Sequence, residues 1–280
     1  MDSVDAVIGR QMVLTDRIDP WRAGALHATL DLGGAAPPDG APLPHFNHWI
    51  YFLEAKPAHA LGRDGHPARG EQAGGFIPDL GLPRRMWAGG QLQFRKPLVI
   101  GSEARRTTTI ESIARKEGRT GPLAFVRLRH DIAVGGEIAV TEHQDIVYRG
   151  DPDTSHRPPA PPQAPSDATR SRTITCDPVM LFRYSALTFN GHRIHYDRDY
   201  ATGVEGYAGL VVHGPLIAQL LLDLAEVGPL GPATTFSFRA RSPAFDFEDI
   251  TLCASDEGTT VAVWAKGPGG RLIMEGLAAA

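Results

Sequence analysis

Six prolines crowd into the stretch GDPDTSHRPPAPPQAPSDA, residues 150–168. Each proline removes a backbone donor and fixes φ near −65°, so the stretch favours an extended, solvated course and continues neither a helix nor a sheet. It reads as a linker, 151–168, between an N-terminal part, 1–150, and a C-terminal part, 169–280. At 280 residues the chain exceeds the usual single domain, and one large or two medium domains suit that length.

The two parts follow one plan. Before the linker, PHFNHWIYFLEA (44–55) places Phe46, Trp49, Ile50 and Leu53 at helical spacing and is expected to form the helix of this half. Four runs rich in Val, Ile, Thr and Phe follow it: GGQLQFRKPLV, EARRTTTIESIARKE, GPLAFVRLRHDIAV and GEIAVTEHQDIVYR. Beyond the linker come a strand-like TRSRTITC, a polar irregular segment, the apolar helix GPLIAQLLLDLAEV (214–227), and four more strand-like runs ending in RLIMEGLA. The first strand after each helix even shares detail, since LQFRKPLVIGSE and FSFRARSPAFDFED both set Phe-Arg a few residues ahead of proline. Internal duplication explains this economically. One helix against an antiparallel sheet is an α+β layout, and two such units fused in one chain give a double hotdog, each sheet wrapped around a central helix.

Composition narrows the function. The formal charge of −4 and the pI near 6.3 exclude a global basic footprint, so no nucleic-acid partner is expected. Cys176 and Cys253 are the only cysteines, too few for a disulfide framework, and read as core thiols. No apolar run reaches 18 residues and the first twenty residues lack a signal-peptide pattern, so a cytoplasmic location with no membrane partner is expected. Neither a strand-linked Gly-x-Gly-x-x-Gly nor a phosphate loop occurs, and no redox cofactor is expected. The loop ALGRDGHPARGEQAGGFIPDLGLP (60–83) is too long for an ordinary connection and has the character of a functional lid.

The densest polar content lies in LFRYSALTFNGHRIHYDRDYATGVEGYAGLVVHGP, 181–215, directly before the second helix. It gathers Asn190, His192, Arg193, His195, Tyr196, Asp197, Tyr207 and His213, and the first half offers no comparable cluster. A metal site is disfavoured: His192 and His195 stand three apart in a non-helical segment without a cysteine partner or zinc spacing. Arg193 suits either an ion pair with Asp197 or a carboxylate on a substrate.

SALTFNGHRIHYDRDYA followed by GLVVHGPL resembles the MaoC-like enoyl-CoA hydratases and, more closely, the hydroxyacyl-thioester dehydratases that include mesaconyl-CoA hydratases. LPRRMWAGGQLQFRKPL, KEGRTGPL and AVTEHQDIVYR extend the resemblance through the first half. Where the wider family has Gly-Asp-x-Asn-Pro-hydrophobic-His, this chain reads Phe189 to His195, with Asn190 in the place of the aspartate. The resemblance implies water addition to a 2-enoyl thioester of coenzyme A, with coenzyme A as part of the substrate and no separate cofactor. It implies His195 as general acid/base, Asn190 as a holder of the attacking water, and the N–H of Gly214 at the helix start as the oxyanion donor. His192, Arg193, Tyr207 and His213 are then substrate-site residues. Arg85 and Trp87 are candidates for contact with the coenzyme A portion. The first repeat would wall the acyl tunnel without catalysing, and the oligomer implied is a homodimer of double-hotdog chains. A thioesterase and a non-catalytic acyl-thioester-binding protein are the rival functions.

Overall fold

The computed structural model describes residues 4–70, 74–118, 121–151 and 160–280. Residues 152–159 of the expected linker lie outside the described residues, as do 119–120 of the KEGRTGPL run and 71–73 of the long loop. The described end of the linker is docked: Gln163 bridges Arg271, and the Ala164 N–H donates to the Gly270 carbonyl at 2.8 Å.

The N-terminal half contributes β1 (Gln11–Arg17), α1 (Pro20–Thr29), β2 (Arg84–Phe94), β3 (Glu103–Gly118), β4 (Gly121–Val134) and β5 (Glu137–Arg149). The C-terminal half contributes β6 (Arg170–Thr175), α2 (Pro178–Leu187), α3 (Arg198–Gly203), α4 (Gly214–Glu226), β7 (Thr235–Ala240), β8 (Asp249–Glu257), β9 (Thr260–Lys266) and β10 (Leu272–Ala279). All ten described strands join one antiparallel sheet in the order β1-β3-β4-β5-β2-β7-β10-β9-β8-β6. That order is palindromic about its centre, which is the signature of the duplication. The two Phe-Arg strands that looked alike in sequence, β2 and β7, are the pair at the seam, registered Gly90↔Phe238 and Leu92↔Phe236. Joining the halves there covers two edges that would otherwise template aggregation.

The second helix forms as expected. Its residues Leu216 to Leu222 are all buried, so it is apolar nearly all round, as a helix enclosed by a curved sheet must be. It packs on β7, β8, β9 and β10.

The first half departs from expectation. The 44–55 stretch is no helix but one 3-10 turn, Asn47–Ile50, bracketed by Phe46 at φ 71° and Phe52 at φ 57°. Left-handed residues on both sides end any helix there. The apolar spacing is satisfied differently: Phe46, Ile50 and Phe52 enter the shared core, and Trp49 packs edge-on to Trp87 at 5.3 Å. The helix that does form, α1, lies earlier, started by Asp19 accepting from the Arg22 N–H at 2.9 Å and by Pro20 in its first turn. No counterpart of α4 therefore lies on β3–β5 among the described residues. That space is a cavity of about 470 Å³ bordered by Trp49, Phe52, Thr108, His130, Glu142 and Tyr148.

Buried polar contacts weld the halves. Gln219 Nε2 donates to Asn47 Oδ1 at 2.7 Å, and the Arg84 guanidinium meets Glu205 at 2.6 Å, both partners buried. One hydrophobic core runs from Ile18 to Ala278.

Candidate active site

The 181–215 segment, expected to be irregular, instead holds most of α2 and all of α3, and the loop between these two helices carries one 3-10 turn, Arg193–His195. Phe189 takes φ 50° and sends the chain sharply back, so that Asn190 Oδ1 accepts from the His192 N–H at 3.0 Å. This Asx turn fixes the loop. It also engages the amide oxygen of Asn190, where the sequence had suggested a free water-holding group.

His195 lies beneath this turn, 6% exposed. A backbone carbonyl only accepts, so the 2.7 Å contact to Val211 O shows Nδ1 carrying the proton and Nε2 the lone pair. Burial pushes its pKa down to about 4, against the smaller upward pull of the Val211 carbonyl. The ring is therefore a neutral base over the ordinary pH range. Its Nε2 has no partner among the described residues, and it is not among the sealed ring nitrogens, which include His192 Nε2 and His213 Nδ1.

The neighbouring rings form a row. His213 stacks on His195 at 3.7 Å and 17°, His192 meets His195 edge to face at 5.4 Å, and His66 lies 4.3 Å from His192. His213 is further held by Ser185 Oγ at 2.8 Å. His192 and His213 are pushed well below the ordinary imidazole range, by burial first and by the neighbouring rings second.

His66 and its neighbour Asp64 belong to the long 60–83 loop and were not foreseen. The fold brings them in by a backbone-to-backbone contact: the Arg193 N–H donates to Asp64 O at 2.9 Å, and Gly65 faces Gly191. The DGHP string was the available signal, but its partner lies more than 120 residues away. Among the described residues, Asp64, His66 and His192 are the one group with three donor atoms within 4.8 Å of each other. The carboxylate is already engaged by His66, and the Arg85 charge acts on both rings, so the set fits acid–base work better than a cation.

The other expected residues take these places. Arg193 pairs with Asp197, at 2.7 and 3.0 Å, and lies over the Tyr200 ring at 4.2 Å. Tyr207 packs beside Phe245 and under Arg84. Trp87 lies in the seam against Phe238 and over Gly214, where an added Cβ would meet its ring at 2.8 Å. That contact gives Gly214 and Trp87 a packing role, and Trp87 does not border the cavity. Arg85 does border it, together with Asp64, His66, Thr188 and Phe189, and its side chain has no hydrogen bond or ion pair among the described residues.

A second polar row crosses the cavity floor. Thr108, His130 and Glu142 are registered side by side on β3, β4 and β5. Glu142 accepts from His48 at 2.8 Å, Trp49 at 3.0 Å and Gln144 at 3.0 Å. Burial raises its pKa, but the hydrogen bonds of His48 and Gln144 and the charges of His48 and His130 together outweigh this and hold the carboxyl below its usual range. His130, hydrogen-bonded to Thr108 at 2.8 Å, is pushed by burial down to about 4.

Two antiparallel half-sheets in mirror order around a single enclosed helix, with an imidazole loop at the helix start, define a double-hotdog protein. Residues 46–246 match the family hydroxyacyl-thioester dehydratase type 2, and the chain belongs to it. A mesaconyl-C(4)-CoA hydratase of Chloroflexus aurantiacus is 47% identical over 278 residues, 98% of this chain and 97% of that protein. Among solved structures, a MaoC-like dehydratase superposes with a TM-score of 0.71 at 16% identity, covering 99% of each chain. A Mycobacterium tuberculosis protein with a double hotdog fold superposes with a TM-score of 0.55 at 11% identity, over 98% of this chain and 97% of that one.

The neutral rings set an acid limit on stability. His130 and His195, with pKa values lowered to about 4, stay unprotonated in the folded chain while the unfolded chain binds protons below about 6.5. Their contribution is full above pH 6.5 and is lost as pH falls towards 4, at about 3 kcal/mol each by linkage. Urea midpoints measured from pH 7.5 to 4.5 are expected to fall steeply below 6.5, and His130→Gln to flatten that fall; a midpoint flat to pH 5 would contradict it.

Proposed function

We propose that this chain is an acyl-CoA hydratase/dehydratase, adding water to a 2-enoyl thioester or removing it from the 3-hydroxyacyl thioester, with a mesaconyl-type dicarboxylic acyl group as substrate. The observation that carries this is the 47% identity, over nearly the whole of both chains, to a protein named mesaconyl-C(4)-CoA hydratase. His195 is the general base: its Nε2 lone pair is fixed by the Val211 carbonyl and left open. The Gly214 N–H, first in the dipole of α4, is the oxyanion donor, and Asn190 and His192 shape the loop around the water. Arg85, on the cavity wall and unpaired among the described residues, is the cation placed to meet the acyl carboxylate, a role from which Arg193 is withdrawn by Asp197. The acyl group occupies the cavity left where the first half has no central helix.

The same proposal takes 1–150 and 169–280 as the two repeats, with the first walling the tunnel. It takes coenzyme A as part of the substrate with no further cofactor, a homodimer of such chains, and a cytoplasmic location. No helix among the described residues is long and apolar enough to cross a membrane.

The test is a panel of mesaconyl-, itaconyl-, crotonyl- and longer enoyl-CoAs, followed both by the conjugated-thioester absorbance and by free thiol. Loss of conjugation without thiol release, fastest with mesaconyl-CoA, is expected. Thiol release matching turnover would instead identify a thioesterase, and no turnover with any enoyl-CoA would end the proposal.

A further inference from the structure

We infer that His66, oriented by Asp64 from the long loop of the first repeat, is a second catalytic imidazole, the general acid that protonates the α carbon. This rests on the hydratase reading above. Asn190, the polar side chain at the turn over His195, is an amide occupied by the His192 N–H, and an amide can neither release nor hold the mobile proton. A hydration step with one neutral base still needs an acid.

The structure supplies a carboxylate–imidazole pair at that place from elsewhere in the chain. Asp64 accepts from the His66 backbone N–H and from its ring Nδ1, both at 3.1 Å. Because an ionised carboxylate only accepts, Nδ1 is the donor and Nε2 is the working nitrogen. Asp64 is held ionised: burial raises its pKa, and the hydrogen bonds and charge of His66 lower it further than burial lifts it. Within the row His66, His192, His195 and His213, only His66 has a carboxylate hydrogen-bonded to its ring. It is the ring best fitted to carry a proton, although burial still lowers its pKa. Asp64 and His66 border the cavity, whereas His192, His195 and Gly214 stand behind that lining, with the His192 ring between His66 and His195. The groups facing His66 are Asp64 and Arg69 from its own loop, Arg85 from β2, and His192 and His195 from the α2–α3 loop.

The loop is docked, not free. Arg193 N–H to Asp64 O and the Gly65–Gly191 contact fix the pair against the His192 loop, so its geometry is set before substrate arrives. In the hydration direction His195 Nε2 takes a proton from water and the water oxygen bonds the β carbon. The C=C π pair moves to the α carbon through the enolate, and the His66 imidazolium releases its Nε2 proton there. Each turnover leaves His195 protonated and His66 neutral, and exchange with solvent takes the proton from His195 and restores one to His66.

The variants His66→Gln and Asp64→Asn, made in the full chain, test this. His66→Gln is expected to lower kcat by at least about 100-fold with KM within about threefold. Asp64→Asn is expected to lower kcat by about 10-fold and to move the alkaline limb of the kcat–pH profile to lower pH, because the acid loses the charge that holds its proton. A merely structural loop residue would not move that limb. Wild-type hydration with His66→Gln within fivefold of it and an unshifted limb in Asp64→Asn would overturn the assignment alone. So would one equivalent of a divalent metal that co-purifies with wild type and is lost in His66→Gln. A wild type inert on every enoyl-CoA would overturn the hydratase reading with it.

Discussion

His195→Ala is expected to abolish hydration, with kcat lowered by about a thousandfold or more and substrate binding little changed. General base catalysis contributes on the order of 10² to 10⁴, and His195 holds an oriented, unprotonated and unsealed ring nitrogen beside the start of α4. The same substitution has a structural cost that can be separated from the chemical one. It leaves the Val211 carbonyl without its donor at 2.7 Å and removes the ring stacked on His213 at 3.7 Å, a loss of about 1–3 kcal/mol. His195→Gln retains an amide N–H for that carbonyl and should recover much of the melting temperature without recovering the rate. Stopped enoyl-CoA assays on both variants, alongside thermal melts, distinguish the two effects. A His195→Ala protein with wild-type kcat would remove this ring from the mechanism.

The loop that carries His195 was readable in the sequence because its determinants are local. Phe189 to Asp197 fold by contacts within a few residues: the Asn190 turn, the Arg193–Asp197 pair at i,i+4, and the 3-10 turn between them. The apolar run of α4 was legible for the same reason, since thirteen residues, ten of them from Pro215 to Leu224 without a charge other than Asp223, offer only one way to bury so much surface. The 44–55 stretch misled because its aromatic residues keep helical spacing while serving as plugs between the halves; the left-handed Phe46 and Phe52 are imposed by that tertiary setting. α1 was marked by Asp19-Pro20, a good start signal, but its ten residues bury only Ala23, Leu26 and Thr29 and give little periodicity. Asp64 and His66 were out of reach for a different reason. Their role depends on a contact between a glycine turn in one half and a glycine turn in the other, and nothing in either turn names its partner. The mirror order of the sheet lay between these extremes: the repeat of Phe-Arg-proline suggested duplication, and the pairing of those strands at the seam gives the repeat its purpose.

That glycine contact is where the second large effect is expected. Gly65 has φ +87°, a conformation that L side chains rarely adopt, and a Cβ built on it would lie 2.0 Å from the Gly191 carbonyl oxygen. Neither a backbone oxygen nor a turn held by the Gly65 N–H on Gly62 O can step aside cheaply. Overpacking of this kind costs about 1–3 kcal/mol, and the left-handed backbone adds about 1–2 kcal/mol. Gly65→Ala therefore faces a cost of about 3 kcal/mol in the docked state, and undocking the turn around residues 62–66 is the cheaper response, since Arg69 still anchors the far side of the loop to the Leu82 and Pro83 carbonyls ahead of β2. The expected result is a protein with a nearly unchanged urea midpoint, new proteolytic cleavage within 60–75, and hydration reduced by at least about 100-fold, because Asp64 and His66 leave the His192 loop together. His66→Gln should differ from it in one respect: the loop remains docked and resists the protease. If Gly65→Ala cuts no faster than wild type and hydrates at the wild-type rate, the close approach of the two turns is not what holds the site.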